Sequence, residues 1–253
     1  MLPTLMKHLL KIVLLALFFV FVSCGKQKTK SQLDHQIPPE VKNDALYHAI
    51  HRLAKEEPLS TILEIGSSSG QGSTEAFVTA IRENPSHPTL FCIEVSKRRF
   101  SQLKKHYEKD PFVRCYNVSS IPLELFPKEE EVSRFYNNVP SKLNRTPLPT
   151  VLQWLKQDID YLKREGVPQK GIELIRRENG IENFDMVFID GSEFTGMAEF
   201  DQIYGARYIL LDDTCTFKNY LNRERLLKDP NYTLIEENPN LRNGYAIFKR
   251  IKF

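Results

Sequence analysis

Cysteine is scarce in this 253-residue chain, and histidine stops early. Of the four cysteines, Cys24 lies in an apolar amino-terminal stretch, and Cys92, Cys115 and Cys215 are far apart and odd in number. No pair has metal-ligand spacing, and Cys92 and Cys115 sit inside apolar runs. Buried thiols are therefore expected, and a disulfide scaffold or a zinc module is excluded. The last of six histidines is His106, so no late-chain histidine is available as a base. Neither sign of charge prevails: 35 basic residues face 32 acidic ones. Five of the lysines fall in residues 1–30, which hold no acid, leaving a body of 30 basic against 32 acidic residues. A near-neutral body excludes nucleic-acid binding driven by phosphate neutralisation. Internal repeats and low-complexity segments are absent. The longest apolar run, Ile12 to Val22, is shorter than the roughly 20 residues a membrane span needs.

That run, preceded by Lys7 and Lys11, fits the apolar core of a secretory signal. It ends Phe21-Val22-Ser23-Cys24-Gly25, which resembles a bacterial lipoprotein processing site, with Phe21 where leucine is usual. The other reading is an uncleaved anchor flanked by snorkelling lysines. Either way residues 1–24 predict membrane attachment, and lysines on both sides leave the orientation open. Residues 25–40 are polar, end in Pro38-Pro39 and read as a linker. Residues 41–253 read as one domain.

Within that domain the pattern alternates. A helix with Leu46, Ile50 and Leu53 on one face is expected over Val41–Glu57. Strands follow at Thr61–Ile65, Leu90–Val95, Phe112–Val118, Asp185–Asp190 and Tyr208–Leu211, with helices at Ser73–Glu83, after Ser96, around Met197–Ile203 and at Asn219–Lys228. The tail, Tyr232–Glu236 and Tyr245–Ile251, reads as an antiparallel hairpin, with Arg242-Asn243-Gly244 as its tight turn. The fold class is α/β: a Rossmann-like three-layer sandwich with seven strands, mostly parallel. A helical insertion over about 121–183 follows strand three, and its clearest stripe is Leu148, Val151, Leu152, Leu155, Ile159 and Leu162, with Gly166 past the end. It is expected to cap the ligand end of the sheet. Trp154 and Tyr161 read as core packing.

The segment TILEIGSSSGQGST (Thr61–Thr74) joins an acid-tipped strand to a helix start through a glycine-studded turn. Such a turn brings backbone N–H groups and a positive dipole end to a small polar ligand. A dinucleotide fingerprint starting at Gly70 fails, because Glu75 stands at its third glycine. The nucleophile elbow Gly66-Ser67-Ser68-Ser69-Gly70 lacks its late histidine. The remaining parse pairs Glu64, Gly66, Gly70 and Gly72 with Glu94 at the end of strand two, a nucleoside site whose second acid accepts from ribose hydroxyls.

With LEIGSSSGQGS, CIEVS, VFIDGSEF and YILLDDTCTFKN in this order, the chain resembles the class I S-adenosylmethionine-dependent methyltransferases, in particular their FkbM-like and macrocin O-methyltransferase-like branches. The resemblance implies that Glu64, Gly66, Ser67, Gly70 and Gly72 hold the methionine end of the cofactor. It implies that Glu94 holds the ribose, and that Asn117 to Ser119 lie near the adenine. Two departures are that Ser68 replaces the middle glycine of the loop and Glu193 a histidine frequent after the IDGS segment.

Asp190, Asp212 and Asp213 end neighbouring strands, and three converging carboxylates need a cation. One reading is Mg²⁺ or Ca²⁺, as in related O-methyltransferases; the other is that one acid caps a helix and another pairs with Lys218 or an arginine. Asp190 or Glu193 is the expected base. The expected function is O-methylation of a sugar, glycan or small-molecule hydroxyl by a membrane-tethered enzyme. Two rivals remain. One is a non-catalytic nucleotide-binding lipoprotein, favoured because an exported domain would not meet a cofactor made in the cytosol. The other is an NAD-dependent oxidoreductase, disfavoured by Glu75.

Overall fold

Strand β1 (Thr61–Ile65) sits at the centre of the sheet, paired in parallel with β2 (Thr89–Ile93) on one side and β4 (Met186–Ile189) on the other. The computed structural model describes residues 32–35 and 38–251. The signal or anchor segment with Cys24 lies outside them. Among the described residues no helix is long and apolar enough to cross a membrane.

Adding β3 (Val113–Tyr116), β5 (Tyr208–Asp212), β6 (Tyr232–Asn238) and β7 (Tyr245–Arg250) gives the order β3-β2-β1-β4-β5-β7-β6. The first five strands run parallel, while β7 is antiparallel to β5 and to β6. The expected Rossmann-like sheet with a reversed hairpin is what forms. The chain winds outward from β1 to β3, then returns to place β4 against β1. The gap between the carboxyl ends of β1 and β4 is thus the topological switch point, where ligands of such sheets bind.

Alternation along the strands makes two cores. Ile62, Leu90, Phe188, Leu210 and Ile247 face helices α1 (Ala45–Glu56), α2 (Ser73–Ile81) and α3 (Lys97–His106). Leu63, Ile65, Ile93, Val187, Ile189 and Leu211 face the opposite layer. Glu64 therefore points into the first core. Helix α1 starts later than the periodicity suggests, because Asp44 adopts an extended conformation and accepts from the Tyr47 N–H at 2.9 Å.

The insertion carries α4 (Glu129–Asn138), α5 (Leu148–Glu165) and α6 (Gly171–Asn179). Helix α4 has no counterpart among the expected elements: its acid-rich sequence buries only Val132 and Phe135. Helix α5 ends at Gly166 in the left-handed conformation, as its sequence predicts. Val151 and Leu155 join Phe135, Phe194 and Phe217 in a small core of their own. Trp154 and Tyr161 part company: Tyr161 is wholly buried, whereas Trp154 is 37% exposed and outside any core. Two helices, α7 (Gly196–Ile203) and α8 (Tyr220–Lys228), complete the second layer. The hairpin connection is longer than the Asn-Gly pair alone, running over residues 239–244, with Arg242 and Gly244 both at positive φ.

Candidate active site

The loop after β1 is shaped first by the protein itself. The N–H groups of Gly66 and Ser67 both donate to the Ile93 carbonyl at 3.0 Å, extending the β1–β2 pairing. A side chain at Gly66 (φ +93°) would meet the Asp190 carbonyl oxygen at 2.1 Å, and one at Gly70 would meet the Tyr107 ring at 2.7 Å. Both glycines are therefore required by internal packing, whatever the ligand. The Tyr107 hydroxyl donates to the Gly70 carbonyl. Ser68, at the usual glycine, keeps the left-handed conformation with φ +49°.

Glu64 stands behind this loop. It is wholly buried, and its oxygens accept from Ser73 Oγ at 2.6 Å and Thr74 Oγ1 at 2.7 Å. Burial pushes its carboxyl above the ordinary range. It ties the first turn of α2 to β1 and does not face the cavity. Asn117 is likewise a brace, its amide donating to the carbonyls of Glu94 (2.8 Å) and Val95 (3.0 Å).

The cavity itself, about 300 Å³, opens at the switch point. Gly66, Ser67, Ser68 and Gly72 form one wall and Glu94 and Ser119 another. Gly70 is not on the surface of the cavity. Glu94 accepts from the Ser68 N–H at 2.8 Å and the Ser96 N–H at 2.7 Å, so the loop and the start of α3 both anchor it. Burial raises its carboxyl, and the Arg99 charge opposes that rise. Ser119 Oγ donates to the Ile121 carbonyl, and Ser120 Oγ to Glu199 Oε1 at 2.6 Å.

Two contributors come from outside the alternating core. Helix α5 places Asp158 and Leu162 on the wall. Asp158 accepts from Ser192 Oγ, and burial pushes its carboxyl up to about 6. The stretch expected to be a linker also takes part: Leu33, Pro38, Pro39 and Glu40 line the cavity. Asp34 is held by Ser96 Oγ at 2.8 Å and the Tyr161 hydroxyl at 2.9 Å, and Arg99 Nε donates to the His35 carbonyl. Asp158, Arg99 and this strap are the site residues that the motifs do not reveal.

Asp190, Asp212 and Asp213 do converge on the wall, but each is paired with a side-chain cation. Lys218 Nζ lies 2.9 Å from Asp190 Oδ1 and 2.6 Å from Asp213 Oδ2, and Arg242 lies 2.6 Å from Asp212 Oδ2 and 3.0 Å from Asp44 Oδ2. Burial pushes Asp190 up; at Asp213 burial also pushes up, but Lys218, Asn243 and Arg242 together outweigh it and hold the carboxyl low. Among the described residues no group of three metal-ligating side chains stands free to take an ion. The expected Mg²⁺ set does not fit, and the pairing alternative does. Glu193 lies off the cavity, accepting from Thr216 Oγ1 at 3.1 Å and the Lys218 N–H at 3.3 Å, with its carboxyl pushed to about 7 by burial.

The donor set does fit a nucleoside joined to an amino acid. An ionised carboxylate offers about four acceptor positions, and Glu94 spends two on backbone N–H groups, leaving others for sugar hydroxyls. A volume of about 300 Å³ is at the lower end of small-molecule sites.

No protein-family profile and no curated protein matches the sequence. Solved structures do. A putative caffeoyl-CoA O-methyltransferase from Staphylococcus aureus aligns with a TM-score of 0.51 at 14% identity, covering 92% of this chain and 99% of that one. A putative O-methyltransferase from Klebsiella pneumoniae gives 0.51 at 13%, covering 87% and 86%. A methyltransferase from Geobacter sulfurreducens gives 0.50 at 10%, covering 84% and 81%. At such identities the likeness is one of architecture: this chain has the Rossmann-like, seven-stranded fold of those methyltransferase structures.

Proposed function

We propose that the chain is an S-adenosylmethionine-dependent methyltransferase acting on an oxygen of a small-molecule or glycan acceptor. The observation that carries this reading is the Glu94 carboxylate, fixed by the Ser68 N–H against the β1 loop inside an open cavity at the switch point. Gly66, Ser67, Ser68 and Gly72 would hold the amino-acid end, Glu94 the ribose, and the wall at Ser119 the base. When bound, the cofactor would supply a methyl group activated by its sulfonium. Methyl transfer needs mainly alignment of the attacking oxygen.

The protein's share is then to place that oxygen and take its proton. Asp190 is engaged with Lys218, and Glu193 does not line the cavity. Asp158 reaches the cavity from the cap and is the better-placed proton acceptor. The acceptor's hydroxyl proton would pass to its carboxylate as the oxygen gains the methyl group. Attachment to a membrane through residues 1–24 belongs to the same proposal, with the catalytic domain on the cytosolic side where the cofactor is made.

Calorimetry of the full chain with S-adenosylmethionine, S-adenosylhomocysteine and NAD is the deciding experiment. Binding of the first two and not the third is expected. NAD binding alone, or no binding of any, would sink the reading.

A further inference from the structure

The loop from β5 to α8 is built to deliver one side chain. Asn219 Nδ2 donates to the Ile189 carbonyl at 3.1 Å and the Asp212 carbonyl at 2.7 Å, clamping the ends of β4 and β5 together. Gly196 makes room for the backbone beside it: a Cβ there would meet the Lys218 carbonyl oxygen at 2.0 Å. The result places the Lys218 ammonium between Asp190 and Asp213, with its side chain only 7% exposed. Burial alone would pull the ammonium's pKa down, but Asp190, Asp213, Asp212 and Glu193 together raise it well above the ordinary value, so it stays charged.

A divalent ion bound by these strand ends would need the same two carboxylates, Asp190 and Asp213. Magnesium sits about 2.0–2.1 Å from each ligand, inside the space the ammonium fills. The metal and the lysine are therefore alternatives: a metal enters only if Lys218 leaves, and a departing Lys218 would have to give up two charged partners at once.

We propose that Lys218 is a tethered cation standing in for a divalent ion, so that this site works without metal. The inference deepens the methyl-transfer reading by naming how the acceptor is met. An acceptor would meet an ammonium N–H donor through a single oxygen, not chelate an ion through two adjacent oxygens. Acceptors with isolated hydroxyls are thus favoured over vicinal diols.

The test uses Mn²⁺ alone and needs no cofactor, so it can fail independently of the enzymatic assignment. Electron paramagnetic resonance of Mn²⁺ titrated with the full chain should show an undiminished free-ion signal. Lys218→Ala should quench it, with affinity at least about tenfold above the parent, and Lys218→Ala combined with Asp190→Asn should lose that gain. Mn²⁺ bound by the parent and lost in Asp190→Asn would overturn the proposal. A folded Lys218→Ala that binds no Mn²⁺ would do so as well. If Lys218→Ala is unfolded alone, Mn²⁺ should restore its circular-dichroism spectrum, and failure to restore it also counts against the proposal.

Discussion

The Ser68 N–H and the Glu94 carboxylate meet at 2.8 Å, joining a left-handed loop residue after β1 to the residue that follows β2. A non-glycine residue in that conformation costs about 1–2 kcal/mol, and a hydrogen bond to a charged acceptor returns about 1.5–3 kcal/mol. The bond therefore holds the loop open beside the very carboxylate expected to grip the ligand.

Glu94→Gln tests this link. The amide keeps the size of the side chain but loses one acceptor oxygen. S-adenosylmethionine affinity, read by calorimetry, should fall about tenfold to a hundredfold, some 1.4–2.8 kcal/mol. Unchanged affinity would remove Glu94 from the ligand's environment.

Asp158→Asn addresses the proton. With its carboxyl near 6, Asp158 is protonated in acid and ionised above neutrality. The parent kcat/KM should rise with pH through about 6 and then level. The variant should lose that limb and about 10²–10⁴ of the rate, the usual contribution of a general base. Cofactor affinity should hold. A retained limb would point to another base.

Glu193→Gln bears on stability. The folded carboxyl titrates near 7 against 4.5 for the ordinary group, so the folded state binds the proton more tightly. Stability from this group is full below about 4.5 and is lost as pH rises through 7. The variant should not show that decline. Its melting temperature relative to the parent should be higher at pH 8 than at pH 5, by the equivalent of about 1–3 kcal/mol. A pH-independent difference would contradict the burial of an ionisable group here.

Two glycines separate packing from conformation. Gly66→Ala drives a methyl into the Asp190 carbonyl and should cost more than about 3 kcal/mol, or prevent folding. Gly180→Ala, at φ +63° with nothing within 4 Å, should cost about 1 kcal/mol. Equal losses in denaturant unfolding would show that backbone conformation alone matters.

The sheet was legible because β-branched runs, turn glycines and helix caps all agree in this chain. Ser96 is a case: its position before a helical stripe predicts a cap, and it accepts from the Arg99 N–H. The site was less legible because its walls come from separate elements. Asp158 falls seven residues after Val151 and four before Leu162, on the buried face of α5, and an acid on an apolar face was the available signal. Residues 33–35 and 38–40 belong to a stretch whose polar sequence ending in prolines reads as a linker, and only tertiary contacts show otherwise. Glu64 was legible as part of the motif, yet its burial against Ser73 and Thr74 depends on which face of β1 it takes.

Arg242 gives the terminal hairpin a second purpose. The loop before β7 reaches back across the end of the sheet and supplies the counter-charge for Asp212, which would otherwise be a buried anion at the cavity floor. Sealing the sheet and balancing its charge are thus one task, and a chain cut short before β6 would lose both together. Damage at the far carboxyl terminus should therefore be felt first as a disturbed ligand chamber, well before the parallel strands come apart.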